Sequence, residues 1–180
     1  MLSIEQYKII YSMLDRVSPV PYDCGRLCDS ICCRGEPFGS DEDSYIYLLP
    51  GEKEYIESTG ADMVIDRESI KEHDLPASWG KYVYIARCDG PKTCRRNVRP
   101  IQCRTFPIIP HLRKGGKLEM IYCDVDLPYK CPLIGEERKL SDDFIRTTHE
   151  AWKMLIEDQA IRDFVKHDSR QRDASRIITV

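Results

Sequence analysis

Cys24-Gly-Arg-Leu-Cys28-Asp-Ser-Ile-Cys32-Cys33 places four thiols within ten residues. Ordinary chains do not spend cysteine at that density. If the stretch is helical, Cys24, Cys28 and Cys32 share one face, because positions i, i+4 and i+8 drift only slowly around the cylinder. Cys33 would then point roughly 100° away from Cys32, one helical step on. Such a block can offer two or three thiolates to one site while Cys33 faces another direction. The plainer alternative is a set of small buried hydrophobes, since free cysteine packs like one. Metal-type spacing in a reducing compartment outweighs it.

Five further cysteines are dispersed: Cys88, Cys94, Cys103, Cys123 and Cys131. Cys94 and Cys103 bracket Arg95, Arg96 and Arg99, with Arg104 following, and Cys131 precedes the rigid Pro132. Distant ligands that close a site on a compact block are how metal staples a small domain. Thiolates select zinc, copper(I) or iron–sulfur clusters over hard cations. A four-thiolate zinc site carries a net charge of about -2, so nearby guanidinium groups favour it.

The charge pattern fits. Net charge is -3, but Glu36 to Asp74 holds twelve acidic residues against three basic ones, and Lys81 to Lys117 holds ten basic residues against Asp89 alone. The second stretch contains Cys88, Cys94 and Cys103.

The 180 residues suit a single domain, with a core at about 20–135. Glu5, Lys8, Asp15 and Arg16 interrupt the first seventeen residues, so no secretory h-region is expected, and no apolar run approaches a membrane span. The expected compartment is the cytoplasm, where thiols stay reduced, and an odd count of nine cysteines suits a paired disulfide framework poorly.

Around the cysteines the elements read as follows. Residues 4–17 form a helix opened by a Ser3/Gln6 capping box and stopped by Pro19 and Pro21. Residues 44–49 and 81–86 favour strands, 63–65 a shorter one, and 52–58 a short helix. Residues 107–123 read as a hairpin turning at Gly115-Gly116. Residues 142–167 read as one long C-terminal helix capped by Ser141, and the tail from Asp168 to Val180 as loose. The expectation is an α+β fold: a small, irregular, metal-stapled domain with a short antiparallel sheet, built from 81–86 and the hairpin, and N- and C-terminal helices.

Taken together, Cys24–Cys33, then Arg99-Pro100-Ile101-Gln102-Cys103-Arg104-Thr105-Phe106-Pro107 and Cys131-Pro132, resemble the YkgJ-like cysteine-cluster family. That family carries a CxxCxxCC block, an RPxxCRxFP stretch and a closing CP, and is described as a zinc- or iron-chelating domain. The resemblance covers about residues 20–135. It implies metal ligation by Cys24, Cys28, Cys32, Cys33, Cys88, Cys94, Cys103 and Cys131, holding zinc or a 4Fe-4S iron–sulfur cluster; the metal or cluster is the expected partner. Cys123 matches no family position and reads as a packed hydrophobe. This block is C-x3-C-x3-CC, one residue longer in each gap, and Arg95 stands where the family has an aromatic. A flagellin lysine methylase, a longer protein, is similar in its cysteine block, which implies the alternative of an iron–sulfur-dependent protein-modifying enzyme such as a lysine methyltransferase.

A zinc-stabilised nucleic-acid-binding module is the further alternative. Trp79, Tyr82, Tyr84 and Phe106 could stack on bases, but a half-buried strand with aromatic packing is the simpler reading, so nucleic acid is not an expected partner. His73, His111, His149 and His167 form no i, i+4 ligand pair, and none is expected to bind metal.

Overall fold

The computed structural model describes residues 1–34, 45–88, 90, 94–123, 127–134, 139–172 and 177–178. Helix α1 (Ile4–Leu14) starts with the capping box foreseen: Ser3 accepts from the Gln6 N–H, and the Gln6 side chain accepts from the Ser3 N–H. It ends at Asp15, before the prolines act. Strand β1 (Tyr45–Tyr47) and helix α2 (Glu52–Ser58) follow as read, with Ser44 outside the described residues. Strand β2 (Ile65–Ser69) lies later than 63–65, because its register is set by pairing with β3 (Tyr82–Arg87) rather than by local hydrophobicity. Helix α3 (Ile101–Thr105), one short turn after Pro100, went unforeseen.

The hairpin stands as read: β4 (Ile108–Leu112) pairs antiparallel with β5 (Leu118–Tyr122), and Gly115 and Gly116 take φ of 102° and 82° in the turn. The long C-terminal helix is in fact two, α4 (Asp142–Leu155) and α5 (Gln159–Gln171). Asp158 breaks it by accepting from the Ala160 and Ile161 N–H groups, which is an N-cap and starts a new helix. The tail is not all loose, since α5 continues to Gln171 and β6 (Ile177–Ile178) pairs with β5.

The fold is α+β. Its strands form two antiparallel sheets instead of the single one expected, ordered β1-β3-β2 and β4-β5-β6. The main core packs α1, α4 and α5 on the hairpin, with Tyr7, Ile10, Ile108, Met120, Phe144 and Trp152 at most 1 % exposed. A satellite of Leu48, Ile56 and Ala86 serves the first sheet. Among the described residues, no helix is long and apolar enough to cross a membrane.

Candidate metal centre

The Cys24–Cys33 block is not an α-helix. It makes two short 3-10 turns, Cys24–Leu27 and Ile31–Cys33, neither with a buried residue. Between them Asp29 and Ser30 adopt left-handed conformations at φ 53° and 54°. Such residues cost on the order of 1–3 kcal/mol and persist where surroundings impose them. Gly25 lets the chain fold back: a Cβ there would lie 2.3 Å from the Ser30 Oγ, and the Ser30 N–H donates to the Gly25 carbonyl at 2.9 Å. The shared helical face therefore does not exist, and Cys32 and Cys33 are successive residues of one 3-10 turn and not of an α-helix. Their sulfurs lie 3.9 Å apart.

Two associations of thiols emerge. The Cys88 thiol points at the Cys33 carbonyl oxygen from 3.9 Å. Cys33 is pushed up to about 12, chiefly by its contact with Cys32; the Cys88 contact opposes that, and burial adds to it. Cys103 is raised by burial first and then by the Cys33, Cys88 and Cys94 thiols, with Arg99 opposing. Cys103 is nevertheless exposed by surface area. It lies in an open cleft shared with Leu14, Cys24, Arg96, Arg99 and Phe106, whose walls crowd it without sealing it.

The second association is Cys24, Cys28 and Cys131. Cys131 is raised mainly by burial, then by Cys28 and Cys24, and Cys24 by burial, Asp23 and Cys28. Cys24 and Cys131 also pack against the edge of the main core. Cys32 adjoins Cys33 and also acts electrostatically on Tyr129, as does Cys131. No disulfide joins any of the nine cysteines.

The arginines divide. Arg99 hydrogen-bonds Cys94, and Cys94, Cys33 and Cys103 together raise its pKa against the opposing effect of burial. Its Nε is buried without a hydrogen-bond partner. Arg96 and Arg99 both lower the Cys24 pKa. Two others serve the fold: Arg87 pairs with Asp66 at 2.6 Å, and Arg104 pairs with Asp15 at 2.6 Å while donating to the Arg99 carbonyl at 2.7 Å. Arg104 also donates to the Arg96 carbonyl, fixing the loop that presents Arg99.

Sequence reasoning missed Glu52, which positions α3 and hence Cys103. Its fully buried carboxylate accepts from the Tyr11 hydroxyl at 2.7 Å, the Leu49 N–H at 2.8 Å and the Ile101 N–H at 2.7 Å. Nothing in the sequence separates Glu52 from its acidic neighbours. Cys123 is buried at the end of β5, its N–H donating to the Pro107 carbonyl at 2.8 Å.

Among the described residues, no three cysteine sulfurs lie mutually within 4.8 Å; Glu68, Glu72 and His73 do offer three ligand atoms that close. A tetrahedral zinc with Zn–S of about 2.3 Å holds its sulfurs about 3.8 Å apart. The Cys32 and Cys33 sulfurs, 3.9 Å apart, match that spacing. Comparison with protein-family models, curated proteins and solved structures finds no match to this chain.

Proposed function

We propose that the chain is a cysteine-cluster protein that holds a metal centre through Cys24, Cys28, Cys32, Cys33, Cys88, Cys94, Cys103 and Cys131, in a reducing compartment such as the cytoplasm. The observation that carries this reading is the Arg99 guanidinium set among Cys94, Cys33 and Cys103. A cation partly withdrawn from water needs anionic neighbours, and neutral thiols do not supply them. Deprotonated thiolates do, and metal binding deprotonates thiols.

The donor set fits soft-metal chemistry. An iron–sulfur cluster suits it better than a lone zinc ion. Four irons and their sulfides stand between the thiolates of a cubane, so its ligands sit farther apart than those of one tetrahedral ion. Among the described residues no three cysteine sulfurs lie mutually within 4.8 Å, the closeness that a lone tetrahedral ion requires. Cys33, Cys88, Cys94 and Cys103 would make one four-thiolate set, and Cys24, Cys28, Cys131 and Cys32 a second, the two meeting where Cys32 and Cys33 lie side by side. The bound group would supply either a rigid staple or an electron-transfer centre, with Arg99 offsetting its negative charge.

The test is elemental analysis and visible absorption of protein purified without oxygen. Iron with matching sulfide and broad visible absorption is the expected result. Colourless protein containing zinc would keep the thiolate centre and replace the cluster by zinc. Protein binding neither metal after reconstitution would overturn the proposal.

A further inference from the structure

We propose that Glu68, Glu72 and His73 form a separate metal site, of oxygen and nitrogen donors, for a divalent first-row cation such as manganese, iron(II) or zinc. No cysteine belongs to it, so it stands or falls independently of the thiolate centre.

The site is made by the exit from β2. Ser69 ends the strand, and its hydroxyl accepts from the Lys71 N–H at 3.4 Å, starting a 3-10 turn over Ile70–Glu72. The Ile70 N–H donates to the Lys81 carbonyl at 3.1 Å and the His73 N–H to the Ile70 carbonyl at 3.1 Å. The turn therefore folds Glu72 and His73 back beside Glu68. One ligand atom from each then lies within 4.8 Å of the other two.

The imidazole supplies the independent argument. The His73 side chain is 8 % exposed, and its Nε2 lies 2.9 Å from Glu68 Oε2. That nitrogen nevertheless has no hydrogen-bond partner: the distance is short but the direction is wrong for a shared proton. The other ring nitrogen, Nδ1, lies 3.0 Å from the Tyr47 hydroxyl. Tyr47 thus holds the ring by Nδ1, and the buried Nε2, turned aside from Oε2, is left for an ion bound between the ring and the two carboxylates.

A divalent cation suits that place, since two carboxylates balance its charge and the imidazole adds a nitrogen donor. The surroundings are those of a ligand shell. A histidine ligand held by a hydrogen bond on its far nitrogen is the common arrangement at metal sites. Tyr47 supplies that bond, and its ring packs edge-on against His73 with centroids 5.4 Å apart. Arg87 steadies the other Glu68 oxygen from 3.5 Å, leaving Oε2 for the ion. Glu72 is exposed and gives the ion a way in. Carboxylate and imidazole donors suit manganese, iron(II) and zinc, and do not select copper(I).

The experiment titrates Mn2+ alone into the full chain carrying its thiol-bound metal, and follows loss of the free-ion electron paramagnetic resonance signal. Manganese is chosen because thiolates bind it poorly. One Mn2+ per chain is expected, weakened by about tenfold or more in Glu72→Gln and in His73→Gln, as for loss of a metal-site group. Glu72 is a surface residue, so its variant folds. Thiol-bound metal content should not change in either variant. Wild-type protein that retains no Mn2+ at millimolar concentration, or variants that bind it as well as wild type, would overturn the site.

Discussion

The helix-and-hairpin half of the molecule and its cysteine-bearing half are held together by different means. In the first, α1, α4 and α5 bury Tyr7, Ile10, Phe144 and Trp152 against β4 and β5, each at most 1 % exposed. In the second, both 3-10 turns of the Cys24–Cys33 block lack a buried residue, and two non-glycine residues sit in left-handed conformations. Apolar burial at about 25 cal/mol per Å2 accounts for order in the first half and contributes little in the second. On the proposed reading, metal-binding energy, which is folding energy in such sites, would hold the thiol face together with the contacts that Cys24, Leu27 and Cys131 make with the core.

The contrast breaks most completely if the core half is not the foundation. Trp152→Ala should cost about 3–5 kcal/mol, measured by denaturant unfolding, and should loosen both halves together. A loss below about 1 kcal/mol would mean that the core does not anchor the fold.

Glu52 joins the halves, tying Tyr11 of α1 and Leu49 to the first turn of α3, which carries Cys103. Glu52→Ala should cost about 2–4 kcal/mol, because it strands buried donors. Burial raises the Glu52 pKa although three hydrogen bonds oppose it. The folded state therefore holds the proton more tightly than the unfolded chain. That part of its contribution is complete below the ordinary carboxylate range and is lost as pH rises through the raised value. The cost of Glu52→Ala should accordingly be larger at pH 4 than at pH 7 in parallel denaturation curves.

Metal removal should separate the halves. Chelation under anaerobic conditions should abolish amide protection across residues 24–34 and 95–99 while α4 and α5 keep theirs, read by hydrogen exchange. Protection unchanged at Cys24–Cys33 would show that the turns hold without metal.

Legibility in the sequence follows the same division. The Ser3/Gln6 box, α2 and the Gly115-Gly116 hairpin were readable because each is decided by neighbours a few residues apart. The break at Asp158 was not, since Leu155, Ile156 and Ile161 continue an apolar helical stripe across it. The split into two sheets depends on the pairing of β3 with β1 and β2, which no local pattern encodes. Residue type announced the cysteines, but their grouping around Arg99 depends on a folded-back loop whose one local cue is Gly25. His73 has no histidine at ligand spacing, and Glu68 and Glu72 come beside it only through the 3-10 turn that follows β2.

The smallest effect tests the boundary between the two halves at single cysteines. Cys123 and Cys103 sit on opposite sides of it. Cys123 is 8 % exposed and closes the end of β5, whereas Cys103 is exposed in the cleft beside Arg99. Cys123→Ser places a hydroxyl where a sulfur packs, which should cost about 1–2 kcal/mol of stability. Its metal content should stay full, because the thiol belongs to the core. Cys103→Ser should do the reverse: little change in the apo-protein's stability, since the site is already wet, and loss of bound metal, since a serine hydroxyl is a far weaker soft-metal ligand than a thiolate. Elemental analysis and thermal melts of the two variants, side by side, decide it. If Cys123→Ser empties the centre and Cys103→Ser keeps it full, the thiol face is drawn on the wrong cysteines and the ligand set must be rebuilt around β5.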